Sequence, residues 1–131
     1  MNILIADDDT NSRLVLNTIL APYGECKEVC NGVEAVAAFK TALDANTPFQ
    51  LVCMDIMMPM MDGQEALLAI RAEEKARNIP PNDEAVVIMT SALDTLDSII
   101  RSFDHGGCNA YLGKPIRQAA LLEKLRNYGL I

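Results

Sequence analysis

The sequence has few basic residues and no long apolar run. Eleven Lys and Arg stand against eighteen Asp and Glu in 131 residues, which gives a formal net charge of −7. Contacts with nucleic-acid phosphates need clustered Lys and Arg, so this balance argues against a nucleic-acid-binding face. No stretch approaches the roughly 18–20 apolar residues of a membrane helix. No signal peptide is readable either, because the short run after Met1 meets an aspartate at Asp7.

Histidine is nearly absent, and the few cysteines form no motif. The single histidine, His105, stands in an unrelated loop, which excludes a Ser-His-Asp catalytic set. The cysteines have no metal-site spacing, so we interpret them as structural thiols of a protein in the reducing cytoplasm. They are Cys26, Cys30, Cys53 and Cys108. The sequence also lacks the G-x-x-x-x-G-K-[ST] loop and, after its first apolar run, the G-x-G-x-x-G motif that hold nucleotide phosphates.

What is present is a regular alternation of short apolar runs and longer amphipathic segments. Five runs predict strands, namely Ile3–Ala6, Glu25–Cys30, Leu51–Met54, Val86–Met89 and Ala110–Leu112. Five amphipathic segments predict helices, of which the fourth is marked by Ile99, Ile100 and Phe103. Strict alternation predicts an α/β fold in which helices cover both faces of a parallel sheet. No repeat or linker interrupts the pattern, so we predict one domain over residues 1–131.

Polar residues stand at the carboxyl ends of the predicted strands, where open parallel sheets form their functional crevice. These residues are Asp7-Asp8, Asp55, Thr90-Ser91 and Lys114. At about 4 Å and an effective dielectric constant near 20, each pair of carboxylates would repel by roughly 4 kcal/mol. A hard divalent cation relieves that repulsion, and Mg²⁺ usually binds through one or two carboxylates, waters and a phosphate. The strand ends therefore predict a Mg²⁺ site.

The simpler interpretation is that these aspartates cap helices. Asp is favoured at helix starts, where its carboxylate meets free N–H groups. We interpret Asp9 and Asp62 in this way, and Asn11 or Ser12 is a further candidate cap for the first helix. Capping explains a single aspartate, but not the gathering of carboxylates, a hydroxyl and a lysine at strand ends.

Four segments, in order along the chain, resemble the receiver domain of bacterial two-component response regulators. They are Asp7-Asp8 after an apolar strand, Asp55 to Gly63, Met89-Thr90-Ser91 and Tyr111 to Pro115. The second segment matches D-x-x-M-P-x-M-D-G at every fixed position, and the similarity covers essentially the whole chain. The resemblance implies a flavodoxin-like, doubly wound sheet of five parallel strands in the order 2-1-3-4-5, with five helices.

The resemblance also implies a role for each site residue. Asp55 would be the nucleophile that accepts a phosphoryl group as an aspartyl phosphate. Asp8, Asp55 and the backbone carbonyl of Met57 would bind Mg²⁺ directly, and Asp7 would act mostly through water. Lys114 would pair with the phosphoryl oxygens as a compact point charge.

Further roles follow for the last strands. Thr90 would donate its hydroxyl to a phosphoryl oxygen and, together with Tyr111, form the switch; the alternative for Tyr111 is a half-buried core aromatic. Lys114-Pro115 resembles the family's cis peptide, which would point Lys114 into the site. Met57 and Ala92 would border the path of the attacking water, and neither side chain can orient water. We therefore expect a long-lived aspartyl phosphate.

By the same resemblance, the partners are proteins. The phosphoryl donor would be a sensor histidine kinase or a His-phosphotransfer protein. Output would pass through the surface of the fourth helix, fifth strand and fifth helix to a partner protein, since no further domain is readable after Ile131. Such a switch catalyses only its own phosphorylation and slow self-dephosphorylation. A receiver cut from a hybrid kinase or larger regulator is the alternative, and phosphorylation-dependent dimerisation stays open.

Two other functions fit less well. A Mg²⁺-dependent phosphohydrolase of the haloacid dehalogenase type also forms an aspartyl phosphate, but it places a second Asp two residues after the nucleophile. This chain has Met57 there, which cannot move a proton. A structural module with a dead site is disfavoured, because no acceptor or ligand position is lost. Four methionines follow the acceptor and are expected to pack the loop beneath the third helix rather than to form a partner-binding patch. They are Met57, Met58, Met60 and Met61.

Overall fold

The fold is a parallel sheet, and its strands are the five predicted runs. The computed structural model describes residues 1–92 and 107–131. The strands are β1 (Asn2–Ala6), β2 (Glu25–Val29), β3 (Leu51–Asp55), β4 (Val86–Ser91) and β5 (Ala110–Gly113). All neighbouring strands pair in parallel, in the order β2-β1-β3-β4-β5. The predicted α/β class and the strand order 2-1-3-4-5 are confirmed.

Four helices are described: three lie between successive strands, and one follows the last strand. They are α1 (Thr10–Leu20), α2 (Gly32–Asp44), α3 (Gly63–Ala76) and α4 (Gln118–Asn127), with short 3-10 turns at Ala21–Tyr23 and Pro81–Asp83. The helix predicted around Ile99, Ile100 and Phe103 lies outside the described residues, and so does His105. Within residues 1–92 and 107–131, no helix is long and apolar enough to cross a membrane.

Aspartates begin α1 and α3. At α1, Asp9 accepts hydrogen bonds from the backbone N–H of Asn11 at 3.2 Å and from the Ser12 hydroxyl at 3.0 Å. The cap is therefore Asp9, and the prediction of Asn11 or Ser12 is wrong because both lie inside the first turn. At α3, Asp62 and Glu65 form a reciprocal capping box. The prediction that Asp9 and Asp62 act as caps is confirmed.

Two apolar clusters fill the space between the sheet and its helices. Successive strand side chains point to opposite faces, so each strand contributes to both clusters. The cluster on the side of α2 and α3 includes Leu4, Val52, Met54, Val87 and Met89. The cluster on the side of α1 and α4 includes Ile3, Ile5, Cys53, Ile88 and Leu112. Burial on both faces explains why the central strands are continuously apolar.

Candidate functional site

Alternation along the strands brings four polar side chains to one corner of the sheet. Each stands two positions beyond a strand residue of the cluster formed with α1 and α4, and so faces the same side. The four are Asp7, Asp55, Thr90 and Lys114. Backbone hydrogen bonds extend the sheet at both outer positions, since Asp7 N–H donates to Val29 at 3.1 Å and Lys114 N–H donates to Ser91 at 2.7 Å.

The predicted acidic cluster is formed by Asp7, Asp8 and Asp55. Asp7 is fully buried, Asp55 is 5% exposed and Asp8 is exposed. One carboxylate oxygen from each residue lies within 4.8 Å of the other two. Carboxylate oxygens are hard ligands that suit Mg²⁺, and their mutual repulsion is relieved by a cation. The donor set therefore fits the predicted metal.

Lys114 places a positive charge against two of these carboxylates. Its Nζ lies 2.9 Å from Asp7 Oδ2 and 3.0 Å from Asp55 Oδ2. Burial opposes the charged ammonium, but the contacts with Asp7 and Asp55 outweigh it and raise the pKa of Lys114. The contact with Asp7 is an ion pair only, because Asp7 Oδ2 accepts no well-directed hydrogen bond in the described part of the chain. Three negative charges and one positive charge leave −2, which a divalent cation cancels.

The surroundings of Asp55 change the pKa of its carboxyl group. Burial raises the pKa of Asp55, and the Asp7 charge adds to the rise, while Lys114 opposes it. The Met57 backbone N–H donates to Asp55 Oδ1 at 3.3 Å. A Cβ at Gly63 would lie 2.1 Å from the Asp55 carbonyl oxygen, so this position must be glycine for α3 to begin against the end of β3. That close approach explains why the D-x-x-M-P-x-M-D-G segment ends in glycine.

Thr90 brings a buried hydroxyl to the same corner of the sheet. Its Cα pairs with that of Asp55 across β3 and β4, and its carbonyl accepts from the Ile56 N–H at 3.0 Å. Thr90 is 1% exposed, and its Oγ1 has no hydrogen-bond partner among the described residues. A buried polar group left unpaired costs about 1–3 kcal/mol, so the hydroxyl is suited to a ligand that accepts a hydrogen bond. By alternation, Ser91 faces the opposite side of the sheet from Thr90, so it lies next to the polar site rather than in it.

Only some of the methionines that follow Asp55 pack against the core. Met58 is buried in the core cluster beneath α3, and Met61 packs against that cluster. Met57 and Met60, in contrast, are 63% and 81% exposed. The prediction that these methionines pack the loop is therefore confirmed for Met58 and Met61 and wrong for Met57 and Met60. The four methionines lie on an irregular loop, where no helix or strand period could have separated the buried ones from the exposed ones.

Tyr111 lies on the edge strand of the sheet. Its Cα pairs with that of Met89, and its side chain is 36% exposed. By alternation it faces the opposite side of the sheet from Thr90. The structure thus gives Tyr111 a partly exposed position on β5, and its switch role stays a prediction. The Lys114-Pro115 peptide is cis, as expected.

Sequence patterns do not single out Arg13 or Glu74, although both are central to polar networks. Arg13 donates to the Asp7 backbone carbonyl at 2.6 Å, and Glu74, 1% exposed, is paired with Arg71 at 2.7 Å. A charged residue on an amphipathic helix normally predicts a solvent-facing position. Only the three-dimensional arrangement distinguishes these two from other helix charges.

The sequence matches the family described as "Response regulator receiver domain" over residues 3–126. Chemotaxis protein CheY-3 of Vibrio cholerae is 32% identical over 127 residues, which cover 95% of this chain and 88% of that protein. Sensor histidine kinase GacS of Pseudomonas protegens is 32% identical over 122 residues, which cover 92% of this chain. The chain spans only 12% of the length of GacS and 7% of that of hybrid signal transduction histidine kinase L of Dictyostelium discoideum.

Solved structures share the fold. The receiver domain of Ssk1 from Saccharomyces cerevisiae, crystallised with the histidine phosphotransfer protein Ypd1, superimposes with a TM-score of 0.82 at 27% identity, covering 98% of this chain and 88% of that one. The receiver domain of sensor histidine kinase PA1611 from Pseudomonas aeruginosa has a TM-score of 0.75 at 27% identity, covering 98% and 97%. That structure holds a magnesium ion coordinated in its active-site cleft.

Proposed function

The chain belongs to the response regulator receiver family of two-component signalling, and on this premise we propose that Asp55 accepts a phosphoryl group in a Mg²⁺-dependent reaction. The observation that carries the proposal is the placement of Asp55 next to the Lys114 ammonium, at 3.0 Å, and beside Thr90, whose hydroxyl has no partner among the described residues. Phosphoryl transfer needs chiefly positioning and charge neutralisation, which this small set can supply. Receiver domains are signalling proteins, and phosphorylation of Asp55 modifies the chain itself.

We propose phosphohistidine of a sensor histidine kinase or a His-phosphotransfer protein as the phosphoryl donor. A carboxylate oxygen of Asp55 would attack the phosphorus, a P–O bond would form and the P–N bond would break. The leaving imidazole would keep the electron pair and take a proton from solvent. The similarity to a receiver crystallised with a histidine phosphotransfer protein supports this donor class. A reducing, cytoplasmic setting is consistent with the four unpaired cysteines.

Each residue of the site would have its own part in binding the metal ion and the phosphoryl group. Asp8, Asp55 and the Met57 carbonyl would hold Mg²⁺, and Asp7 would act through water. Bound there, the ion would supply positive charge to the phosphoryl oxygens. Lys114, already at hydrogen-bond distance from Asp55, would move its contact to a phosphoryl oxygen.

Thr90 and Tyr111 would carry the signal. The Thr90 hydroxyl would donate to a phosphoryl oxygen and so gain the partner that it lacks among the described residues. Movement of Thr90 would let Tyr111 turn inward from its half-exposed position on β5. The face of β5 and α4 would thereby be reshaped for a partner protein.

Phosphorylation by a small molecule tests the acceptor directly. Incubation of the full chain with Mg²⁺ and acetyl phosphate should add the mass of one phosphoryl group, and Asp55→Asn should abolish the addition. Asp83→Asn, in the exposed turn Pro81–Asp83, is the matched control and should be labelled like the parent. Undiminished labelling of Asp55→Asn would overturn the assignment.

A further inference from the structure

We infer that Arg13 is a positioning residue for the proposed Mg²⁺ site, because it holds the peptide group between Asp7 and Asp8. The inference rests on the proposed function, since it concerns the metal that this function requires. It assigns to a residue of α1 a role that none of the sequence motifs includes.

The Arg13 guanidinium is held by three different partners. Its Nη1 donates to the Asp7 carbonyl oxygen at 2.6 Å, and its Nη2 donates to Thr10 Oγ1 at 3.2 Å. Its Nε lies 3.4 Å from Glu28 Oε1, and only 15% of the side chain is exposed. All three nitrogens are therefore engaged, and the group has a fixed orientation.

The Asp7 carbonyl belongs to the peptide that joins two proposed metal residues. Because a peptide group is planar, fixing the direction of this C=O also fixes the Cα of Asp8. Hydrogen bonds hold the neighbouring groups, since Asp7 N–H donates to Val29 at 3.1 Å and Asp9 N–H donates to Asp7 Oδ1 at 2.9 Å. The exposed carboxylate of Asp8 has no hydrogen bond to another described residue. Its backbone is thus what places it, and Arg13 holds that backbone.

Glu28 prevents the Arg13 charge from acting as a free cation beside the cluster. It pairs with Arg13 through Oε1 and accepts a hydrogen bond from Asn17 Nδ2 at 2.8 Å through Oε2. The guanidinium is thereby tied to the edge strand β2 on one side and to the Asp7 carbonyl on the other. A lysine has no planar fork and cannot make these directed contacts together.

Two roles for Arg13 predict opposite changes in Mg²⁺ affinity. If Arg13 were only a nearby positive charge, its removal would lessen repulsion and strengthen Mg²⁺ binding. If it positions Asp8, its removal loosens a ligand and weakens binding. Residues that orient metal ligands typically change metal affinity by about 10–100-fold when replaced. We expect Arg13→Met to weaken Mg²⁺ binding about tenfold.

Calorimetric titration of the full chain with Mg²⁺ measures this difference. Arg13→Met and Arg13→Lys should both bind more weakly than the parent. The control is Arg77→Met at the end of α3, which removes ion pairs with Glu73 and Asp44 at 2.8 and 2.7 Å and should leave the affinity unchanged.

A metal-free readout separates positioning from general stability. In Arg13→Lys without Mg²⁺, exchange of the Asp9 N–H should quicken more than the change in unfolding free energy accounts for, because its acceptor Asp7 is loosened. Mg²⁺ binding by Arg13→Met or Arg13→Lys as tight as, or tighter than, that of the parent overturns the inference. If Arg13→Met fails to fold, Arg13→Lys decides alone. Failure of the parent itself to bind Mg²⁺ overturns the proposed function instead.

Discussion

The Lys114 ammonium lies 3.0 Å from the Asp55 carboxylate, yet burial still raises the pKa of Asp55 above its ordinary value of 3.8. Between the ordinary and the raised value, the folded protein binds more protons than the unfolded chain does. Without Mg²⁺, the free energy of unfolding should therefore fall as pH rises through that window. Asp55→Asn should lessen the fall, as measured by urea denaturation from about pH 4 to pH 7 in a chelating buffer. Asp83→Asn should keep the parent's slope, and an equal slope for Asp55→Asn would show that the buried Asp55 carboxylate is not the cause.

Magnesium should stabilise the folded chain by relieving repulsion among Asp7, Asp8 and Asp55. A ligand at a hundredfold excess over its dissociation constant stabilises by about 2.7 kcal/mol. The gain should disappear in Asp8→Asn at matched ionic strength, as followed by the melting temperature. If a sodium salt reproduced the whole effect in the parent, general screening rather than a bound ion would be responsible.

The aspartyl phosphate should be long-lived, because Met57 and Ala92 present no polar side-chain group to water. Met57 is 63% exposed and can shield the phosphorus, while Ala92 is also exposed. Met57→Asn combined with Ala92→Glu should speed the loss of phosphate from Asp55 about tenfold or more, which is about 1.4 kcal/mol of barrier. The decay of the phosphorylated mass after removal of the donor measures the rate. A double variant that decays no faster than the parent would show that another factor sets the lifetime.

Binding of a phosphoryl analogue beside Asp55 should change the surroundings of Tyr111. Beryllofluoride with Mg²⁺ mimics the acyl phosphate, and it should shift the backbone amide resonances of both Thr90 and Tyr111. The reason is that Thr90 gains a hydrogen-bond partner and moves, which changes the packing next to β5. Thr90→Ala should retain the shifts around Asp55 and lose the one at Tyr111. Shifts confined to the acidic residues in the parent would refute the relay.

A buried ion pair outside the site should dominate the stability of α3. Glu74, 1% exposed, accepts from Arg71 at 2.7 Å and from the Ala85 N–H at 2.7 Å. Arg71 also donates to Asn109 Oδ1 at 2.9 Å, which joins α3 to the chain just before β5. Arg71→Met should lower the unfolding free energy by about 3–5 kcal/mol, because it leaves the Glu74 charge buried without its partner.

The matched control for this ion pair is Arg77→Met at the end of the same helix. The Arg77 side chain is 32% exposed and pairs with Asp44, which is 69% exposed, and with Glu73, so its loss should cost much less than the loss of Arg71. Chemical denaturation of both variants gives the comparison. Similar losses for Arg71→Met and Arg77→Met would mean that burial does not set the cost.

The strands and the cluster of Asp7, Asp8 and Asp55 can be predicted from the sequence, because each depends on residues that are close together along the chain. Apolar runs mark the buried strands, and the position of a polar residue after such a run places Asp55 at the sheet edge. The contacts of Arg13 and Glu74 are not readable, since a charged helix residue gives the same pattern whether it meets solvent or a carbonyl. The exposure of Met57 and Met60 is likewise not readable, because it depends on the path of an irregular loop rather than on residue type.

The ion pair between Lys114 and Asp7 also determines at which stage of folding the site is completed. The two residues lie far apart along the chain and directly follow β1 and β5, which are separated in the sheet by β3 and β4. Contacts of such large sequence separation have a high loop-closure entropy and form only after the intervening strands have paired. A chain still lacking β5 has the acceptor and the acidic pair, but not the lysine. On the proposed function, competence to carry phosphate would therefore be a property of the completed sheet, and labelling of Asp55 would report that the last strand has docked.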